Sequence, residues 1–584
     1  MGGGRRRPGG ERLGAARGGA PGMGGGEPGG AAGTGAVPEG CWFWGPSRLA
    51  RAVRRGEVTA EGLARSFIDR QRRLDKELGV NAVVVPLDEA EVILKAKAAD
   101  VAQKDAQSRG ESLGALHGVP YTLKESYDVK GMQSIWGCPG EADAPVRIQS
   151  SEVHSKLEAA GAILLGKTNT PPLLADWQSY NSVFGTTGNP YDPQRTAGGS
   201  SGGSAASVAA GFAAFDIGSD IGGSIRVPAS FCGIWGHKIT FGIISPEGHN
   251  LKGFLGPVSD MAVQGPLAQS AEDLELLLEV LAGVHSLESK GLRVELPAPR
   301  RMPELSSSGV AKAPKISFRV AVWSEEPGLS VAESVQGVLT GVEGVLMKDF
   351  GIECVRITYE KDILPRVEEA LVLAGKRGPL SPDLASSKGI LRFYSRMLRM
   401  QLSARVPADT FQNLVGDAQA LDYSDESPAA QALRDATRHY WHSVQDFETR
   451  AHLRLGFERF LDRTSGGFDV ILMPGTALPA FPHSTPRDQT LPLMDADHRL
   501  QLDGKECPYF ETMAFWQLWA NLALLPSTAF PVGVNEAGLP LGLQVMGAAY
   551  EDRTTIAFAK AVHQCLSDRR RREGRELVPR PLGF

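Results

Sequence analysis

Thr196-Ala-Gly-Gly-Ser-Ser-Gly-Gly-Ser-Ala-Ala206 and, a short way on, Gly218-Ser-Asp-Ile-Gly-Gly-Ser-Ile-Arg-Val-Pro-Ala229 are the two stretches whose reading decides the fold of this 584-residue chain. Both are glycine–serine loops, and the Ala-rich text between them reads as one small-residue helix from Ser204 to about Phe215. Glycines let backbone N–H groups approach a reacting atom without a Cβ in the way. Serines add hydroxyls, and a helix that follows such a loop turns its positive end toward it. The combination suits negative charge developing on an oxygen.

Outward from these loops, helix and strand signals alternate, which predicts an α/β architecture. Leu49, Val53, Leu63, Ala64 and Phe67 recur at helical spacing, and a second helix is expected from Leu87 to Val101. His117-Gly-Val-Pro-Tyr-Thr-Leu-Lys124 reads as a turn and a short buried strand, Val153 to Ala160 as a helix, and Ala162 to Leu165 as a strand ending at Gly166. Residues 290–315 are rich in Pro and Ser and read as a surface linker. Ile316 to Trp323 is expected as a strand, 328–465 as mainly helix, and Phe468 to Met473 and Leu541 to Met546 as strands rejoining the first sheet. No repeat period is present, which argues against a solenoid.

Composition narrows the field further. Hydrophobic residues are 42% and charged residues 22%, as in an ordinary soluble globular protein, and a net charge of −5 gives no field that would favour nucleic acid. The six cysteines are scattered without a C-x-x-C pair, so neither a zinc site nor a disulfide framework is indicated, and no metal or cofactor is expected. Ala205 to Gly218 is too short to span a bilayer, and the arginines after Met1 are followed by no apolar run. A cytoplasmic protein with no stable membrane insertion is the expectation. Residues 1–38 are Gly, Arg, Ala and Pro with little to bury, and read as a disordered tail without catalytic role.

Two rival motifs need weighing. Gly161-Ala-Ile-Leu-Leu-Gly-Lys-Thr168 matches the P-loop pattern, but its four variable positions read as strand and Asn-Thr-Pro-Pro after Thr168 stops a phosphate-binding helix. Gly199-Ser-Ser-Gly-Gly203 matches the nucleophile elbow, with Ser201 as nucleophile. The candidate histidines His237, His249 and His483 stand in no distinguishing context, and the elbow leaves the loop around Ser224 unexplained. Ser201 therefore reads as a residue that supports the loop. Asp220 and Arg226 likewise read as an ion pair holding the loop rather than as substrate contacts.

A third reading accounts for both loops. Gly198-Gly-Ser-Ser-Gly-Gly-Ser204 and Asp220-Ile-Gly-Gly-Ser-Ile-Arg-Val-Pro228 resemble the amidase signature family, as do Gly118-Val-Pro-Tyr-Thr-Leu-Lys124, Gly166-Lys-Thr-Asn169 and Asn189-Pro-Tyr-Asp192. Pro526-Ser-Thr-Ala-Phe-Pro-Val-Gly533 and Gly538-Leu-Pro-Leu-Gly-Leu-Gln544 continue the likeness, which runs from roughly residue 45 to 570 and is strongest over 115–250. The resemblance implies a large mixed β-sheet core flanked by helices on both faces, in one domain over 39–584, with a mainly helical, substrate-shaping insertion over about 328–465.

It also implies a site. Carried onto this sequence, the family's triad falls on Lys124, Ser200 and Ser224, with Ser224 as nucleophile, Ser200 as bridge after a cis peptide, and Lys124 as base. The N–H groups of Ile221, Gly222, Gly223 and Ser224 would form the oxyanion hole. Leu174 stands where fatty acid amide hydrolases place an apolar acyl contact, and Ser200 would also touch substrate. The expected activity is hydrolysis of a linear carboxylic amide, on a small-molecule substrate. An ester or carbamate hydrolase and a glutaminase-type amidotransferase subunit remain as alternatives. The amphipathic stretch Ile390 to Leu402 reads as a helix on the core or a homodimer contact in preference to an acyl-channel cap or a membrane contact.

Overall fold

The computed structural model describes residues 37–581 apart from 142, 251–258, 285–287, 303–317, 376–379, 404–439 and 485–497. Nearly all of the expected tail, most of the 290–315 linker's second half and part of the 328–465 region thus lie outside the described residues.

Eleven strands make the central sheet: β1 (Val83–Pro86), β2 (Pro120–Lys124), β3 (Ile163–Thr168), β4 (Phe215–Asp220), β5 (Trp235–Lys238), β6 (Val263–Ala268), β7 (Arg319–Val322), β8 (Glu353–Arg356), β9 (Val470–Pro474), β10 (Ser527–Val534) and β11 (Pro540–Gly547). Their spatial order is β1-β3-β2-β4-β6-β5-β10-β11-β9-β7-β8. The β3/β2, β2/β4, β9/β7 and β7/β8 pairs are parallel and the others antiparallel, so the sheet is mixed. Strands from both ends of the sequence meet at the β5/β10 pair, where Thr528 lies opposite His237.

Strand β2 shows why helices cover both faces. Successive side chains of a strand point to opposite sides. The Tyr121 hydroxyl reaches Nδ1 of His154, on helix Glu152–Ala159, at 2.6 Å. Thr122, next along, meets Ser207 of helix Gly202–Ala209 at 3.1 Å on the other face. Lys124 shares the face of Thr122 and stands at the strand's C-terminal end. Four helices begin at a side-chain cap: Thr59, Asp88, Ser151 and Ser270 each accept the N–H of the residue three further on.

Several element boundaries differ from the sequence reading. The Ala-rich helix spans Gly202–Ala209 and does not run to Phe215; residues 215–220 are instead the fully buried strand β4. Small residues carry no periodicity that separates helix from buried strand. What decides is tertiary: Phe215 stacks on Tyr121 at 5.1 Å, and β4 pairs with β2 and β6. The second early helix is Glu89–Arg109, and β3 runs on through Gly166 to Thr168. The 328–465 region carries helices Glu333–Asp349, Leu364–Leu373, Ser387–Ser403 and Tyr440–Phe460, together with the edge strand β8. Among the described residues no helix is long and apolar enough to cross a membrane.

Candidate active site

Parallel pairing of β2 with β4 sets Thr122 opposite Asp216 and Leu123 opposite Ile217, so the two strands end side by side. Their ends carry Lys124 and Ser219. Lys124 is fully buried, and its Nζ lies 2.7 Å from Ser200 Oγ and 3.0 Å from Ser219 Oγ. Ser200 belongs to the first glycine–serine loop, just before helix Gly202–Ala209, and the Gly199–Ser200 peptide is cis. The second loop follows β4 directly. Ser201 joins the two loops: its N–H donates to the carbonyl of Ser224 at 3.2 Å, and the Ser219 N–H donates to its Oγ at 3.4 Å. Ser200 and Ser224 are 1% and 5% exposed, so both residues are almost closed to solvent.

Asp220 and Arg226 hold the second loop from beneath. The guanidinium contacts the carboxylate through Nε and Nη2, each at 3.0 Å, with both side chains fully buried. Arg226 also donates to Gln544 Oε1, the Gln517 carbonyl and Asn521 Oδ1, which ties the loop to β11 and to helix Tyr509–Leu522. Burial pushes the Asp220 carboxyl up, but the Arg226 charge and the Gly223 N–H outweigh it and hold it well below the usual carboxylate range.

That carboxylate changes the expected oxyanion set. The Gly223 N–H donates to Asp220 Oδ1 at 2.8 Å, and the Ile225 N–H to Oδ2 at 3.2 Å. Gly223 is thereby withdrawn as an oxyanion donor, because an ionised side chain captures the N–H three residues on. The N–H groups of Ile221, Gly222 and Ser224 meet no acceptor among the described residues. Gly223 sits at φ +99°, and a Cβ there would lie 2.5 Å from Gln517 Cγ, so the turn needs glycine.

Leu174 is buried. It packs with Trp136 in a small apolar cluster flanked by half-buried Leu173 and Cys138. Trp136, Leu173 and Leu174 all have positive φ, at 54°, 54° and 59°, and the Leu173 N–H donates to the Trp136 carbonyl at 2.9 Å. The Trp136 end of this cluster is anchored by Glu125, whose oxygens accept the N–H groups of Ile135 and Trp136 at 2.7 and 2.8 Å.

The rival motifs dissolve in this setting. Lys167 of the P-loop-like pattern lies inside β3, fully buried, and donates to Ser134 Oγ at 2.8 Å with Glu125 Oε1 at 3.6 Å. His237 bonds Thr528 and Asp552, His249 bonds Ser126, and His483 bonds the Pro193 carbonyl; the structure brings none of these to Ser201. Among the described residues no cluster of His, Cys, Asp and Glu could hold a metal ion.

Sequence reasoning missed Ser219, although it stands inside the quoted second loop. No sequence signal singles it out: what brings it to Lys124 is the β2/β4 pairing, which sets Thr122 against Asp216 and the ends of both strands together. Glu125 was also missed, and nothing in the sequence alone linked it to Lys167.

Fold and layout together define a class of α/β protein in which a buried lysine–serine pair stands at strand ends beneath a glycine loop. The amidase family model matches residues 63–556, and the chain belongs to that family. It is 29% identical over 534 residues to the A subunit of a glutamyl-tRNA(Gln) amidotransferase from Synechococcus sp., covering 89% of this chain and 93% of that protein. It is 27% identical over 536 residues to a fatty acid amide hydrolase of Medicago truncatula, covering 91% and 77%. A bacterial aryl acylamidase of the amidase signature enzymes superposes with a TM-score of 0.67 at 23% identity, covering 90% of this chain and 96% of the other, which speaks for the fold alone.

Proposed function

We propose that this chain hydrolyses a linear carboxylic amide through an acyl-enzyme on Ser224, with Ser200 and uncharged Lys124 as the proton relay. The observation that carries the reading is Lys124 Nζ at 2.7 Å from Ser200 Oγ, with the amine shut away from solvent. Burial disfavours the ammonium form of a lysine side chain. As a neutral amine, Nζ accepts the Ser200 proton while giving an N–H to Ser219 Oγ.

The chemistry then balances. Ser224 Oγ forms a bond to the carbonyl carbon as its proton passes to Ser200 Oγ, whose own proton passes to Lys124. Charge on the carbonyl oxygen is taken by the N–H groups of Ile221, Gly222 and Ser224, each such donor being worth roughly 3–4 kcal/mol at comparable sites. Collapse breaks the C–N bond, and the departing amine takes the proton back along the same relay. Water repeats the sequence on the ester and releases the acid. No metal is required by any of these steps.

The relation to the amidotransferase of Synechococcus favours one second reading, a glutaminase-type subunit that releases ammonia from glutamine. The apolar cluster of Trp136, Leu173 and Leu174, tied through the Trp136 N–H to Glu125, the residue after Lys124, weighs toward an apolar acyl group instead. One experiment separates these: purified protein is given short-chain, aryl and long-chain amides, matched esters and carbamates, and L-glutamine, and amine or ammonia release is followed. Release from apolar amides that vanishes in Ser224→Ala supports the reading. Release from glutamine alone replaces it with the second, and full activity of Ser224→Ala overturns both.

A further inference from the structure

The two peptide planes ahead of Gly223 are gripped from outside the loop, by residues that no motif in the sequence marks. Tyr394, on helix Ser387–Ser403, donates its hydroxyl to the Ile221 carbonyl at 3.0 Å. Trp177 donates its indole N–H to the Gly222 carbonyl at 2.7 Å. The fit leaves no slack, since a Cβ on Gly222 would stand 2.3 Å from the Tyr394 hydroxyl oxygen.

Peptide planarity turns these contacts into aim. In a trans peptide the C=O of one residue and the N–H of the next lie in one plane and point opposite ways. Fixing the Ile221 oxygen therefore fixes the direction of the Gly222 N–H, which has no protein acceptor among the described residues. The next plane is held at both ends, its oxygen by Trp177 and its N–H, that of Gly223, by Asp220. Only the first plane depends on a single outside contact, and that contact is Tyr394.

We propose that Tyr394 is a positioning residue for acyl transfer: its hydroxyl, seated on the Ile221 carbonyl, aims the Gly222 N–H at the oxygen that becomes charged. The inference rests on the reading of Ser224 as nucleophile. Its support is built for rigidity. Tyr394 is fully buried and stacks on Phe510, and Phe510 also packs edge-on against Trp177. Two residues along the helix, Arg396 pairs with Asp383 at 2.6 Å and Asp446 at 2.9 Å. Burial holds the Tyr394 phenol far above its ordinary range, so the hydroxyl remains a donor at every working pH. Helix Ser387–Ser403 thus connects the region outside the signature motifs to the reaction centre.

The test uses the full chain and a biotinylated fluorophosphonate, whose phosphorus is attacked by a serine oxygen with loss of fluoride. The P–O bond forms as P–F breaks, the serine proton enters the relay, and the phosphoryl oxygen occupies the oxyanion site. Labelling is followed against probe concentration, which separates the maximal rate from half-saturation. Removing an oxyanion donor outright costs 10²–10³ at comparable sites, and misaiming one should cost on the order of 10-fold. Tyr394→Phe is expected to lower the maximal labelling rate by about that factor with half-saturation unchanged. Trp177→Phe should lower it less, because Asp220 still holds the other end of that plane. If the tyrosine variant folds poorly, Phe510→Leu, which removes the ring stacked on Tyr394, takes its place: it should lower the maximal rate with half-saturation unchanged, and a wild-type maximal rate overturns the inference. Wild-type labelling by Tyr394→Phe, or a loss confined to half-saturation, overturns the inference. Labelling of Ser224→Ala at the wild-type rate would instead overturn the reading of the nucleophile.

Discussion

Two buried carboxylates, Asp220 and Glu125, do the same local work and are paired differently. Each gathers two backbone N–H groups of its own loop: Gly223 and Ile225 for Asp220, Ile135 and Trp136 for Glu125. Asp220 faces a guanidinium that contacts it twice at 3.0 Å and spreads its other N–H groups over Gln544, Gln517 and Asn521. Glu125 faces the single ammonium of Lys167 at 3.6 Å. The net result is opposite in sign. Asp220 is held well below the usual range, whereas for Glu125 burial outweighs the Lys167 charge and the carboxyl is pushed up. A planar fork satisfies a buried anion where a point charge does not. The forked pair holds the proposed oxyanion loop, and the single-ammonium pair holds the segment that carries Trp136 of the apolar cluster.

The largest effect should come from breaking the first pair. Arg226→Met leaves Asp220 charged and alone in the core, and is expected to cost about 3–5 kcal/mol in denaturant unfolding. Arg226→Lys should recover little of it, since one ammonium cannot span the same acceptors. A lysine variant of near wild-type stability would show that the fork is irrelevant.

Lys167→Met should cost less, about 1–3 kcal/mol at pH 8. Glu125, already shifted up, can escape by taking a proton. A carboxyl whose folded pKa is raised contributes stability that is complete below its unfolded pKa and is lost as pH rises through the folded value. The penalty in Lys167→Met should therefore shrink as pH falls toward 5. A loss equal to that of Arg226→Met at both pH values would erase the distinction between the two regions.

A third carboxylate extends the series. Asp216 has a hydroxyl partner, Thr168 at 3.1 Å, and no ion pair among the described residues. Burial pushes its carboxyl up to about 7, with the Thr122, Ser204 and Thr168 hydroxyls only partly offsetting it. By the same sign rule, wild-type stability falls as pH climbs from about 4, the unfolded aspartate value, through about 7. Asp216→Asn should act in the opposite direction to the other two changes: its stability relative to the wild type should rise by about 2–3 kcal/mol between pH 5 and pH 8, because about two units of that interval lie below a folded value of about 7. A fall across that interval would mean that ionised Asp216 is needed where it stands.

How far the sequence was legible follows the same division. Long ordered motifs pointed to the family, and Lys124, Ser200 and Ser224 came with that resemblance; taken singly, a lysine after an apolar strand and a serine in a glycine-rich turn have ordinary structural uses. Asp220 and Arg226 read from the sequence as an ion pair holding the loop, and they form one. Beyond the motifs, legibility failed for physical reasons. The run from Ala205 to Phe215 has no side-chain pattern to mark where helix gives way to strand, and Phe215 is settled only by Tyr121 across the sheet. Gly223 could be counted as a donor until a distance showed its N–H turned to Asp220. Trp177 and Tyr394 are separated from the loop by long sequence intervals, and nothing in their own surroundings distinguishes them from core aromatics.

The central claim is that a neutral lysine amine, acting through Ser200, arms Ser224 for attack. It is tested most directly by locating the covalent intermediate: protein quenched during turnover of an activated amide, digested, and sequenced by mass spectrometry across residues 196–226. One acyl group is expected, on Ser224, and it should fail to accumulate at neutral pH in Lys124→Ala. An acyl group on Ser201, or unchanged acylation of Ser224 without the lysine, would contradict it.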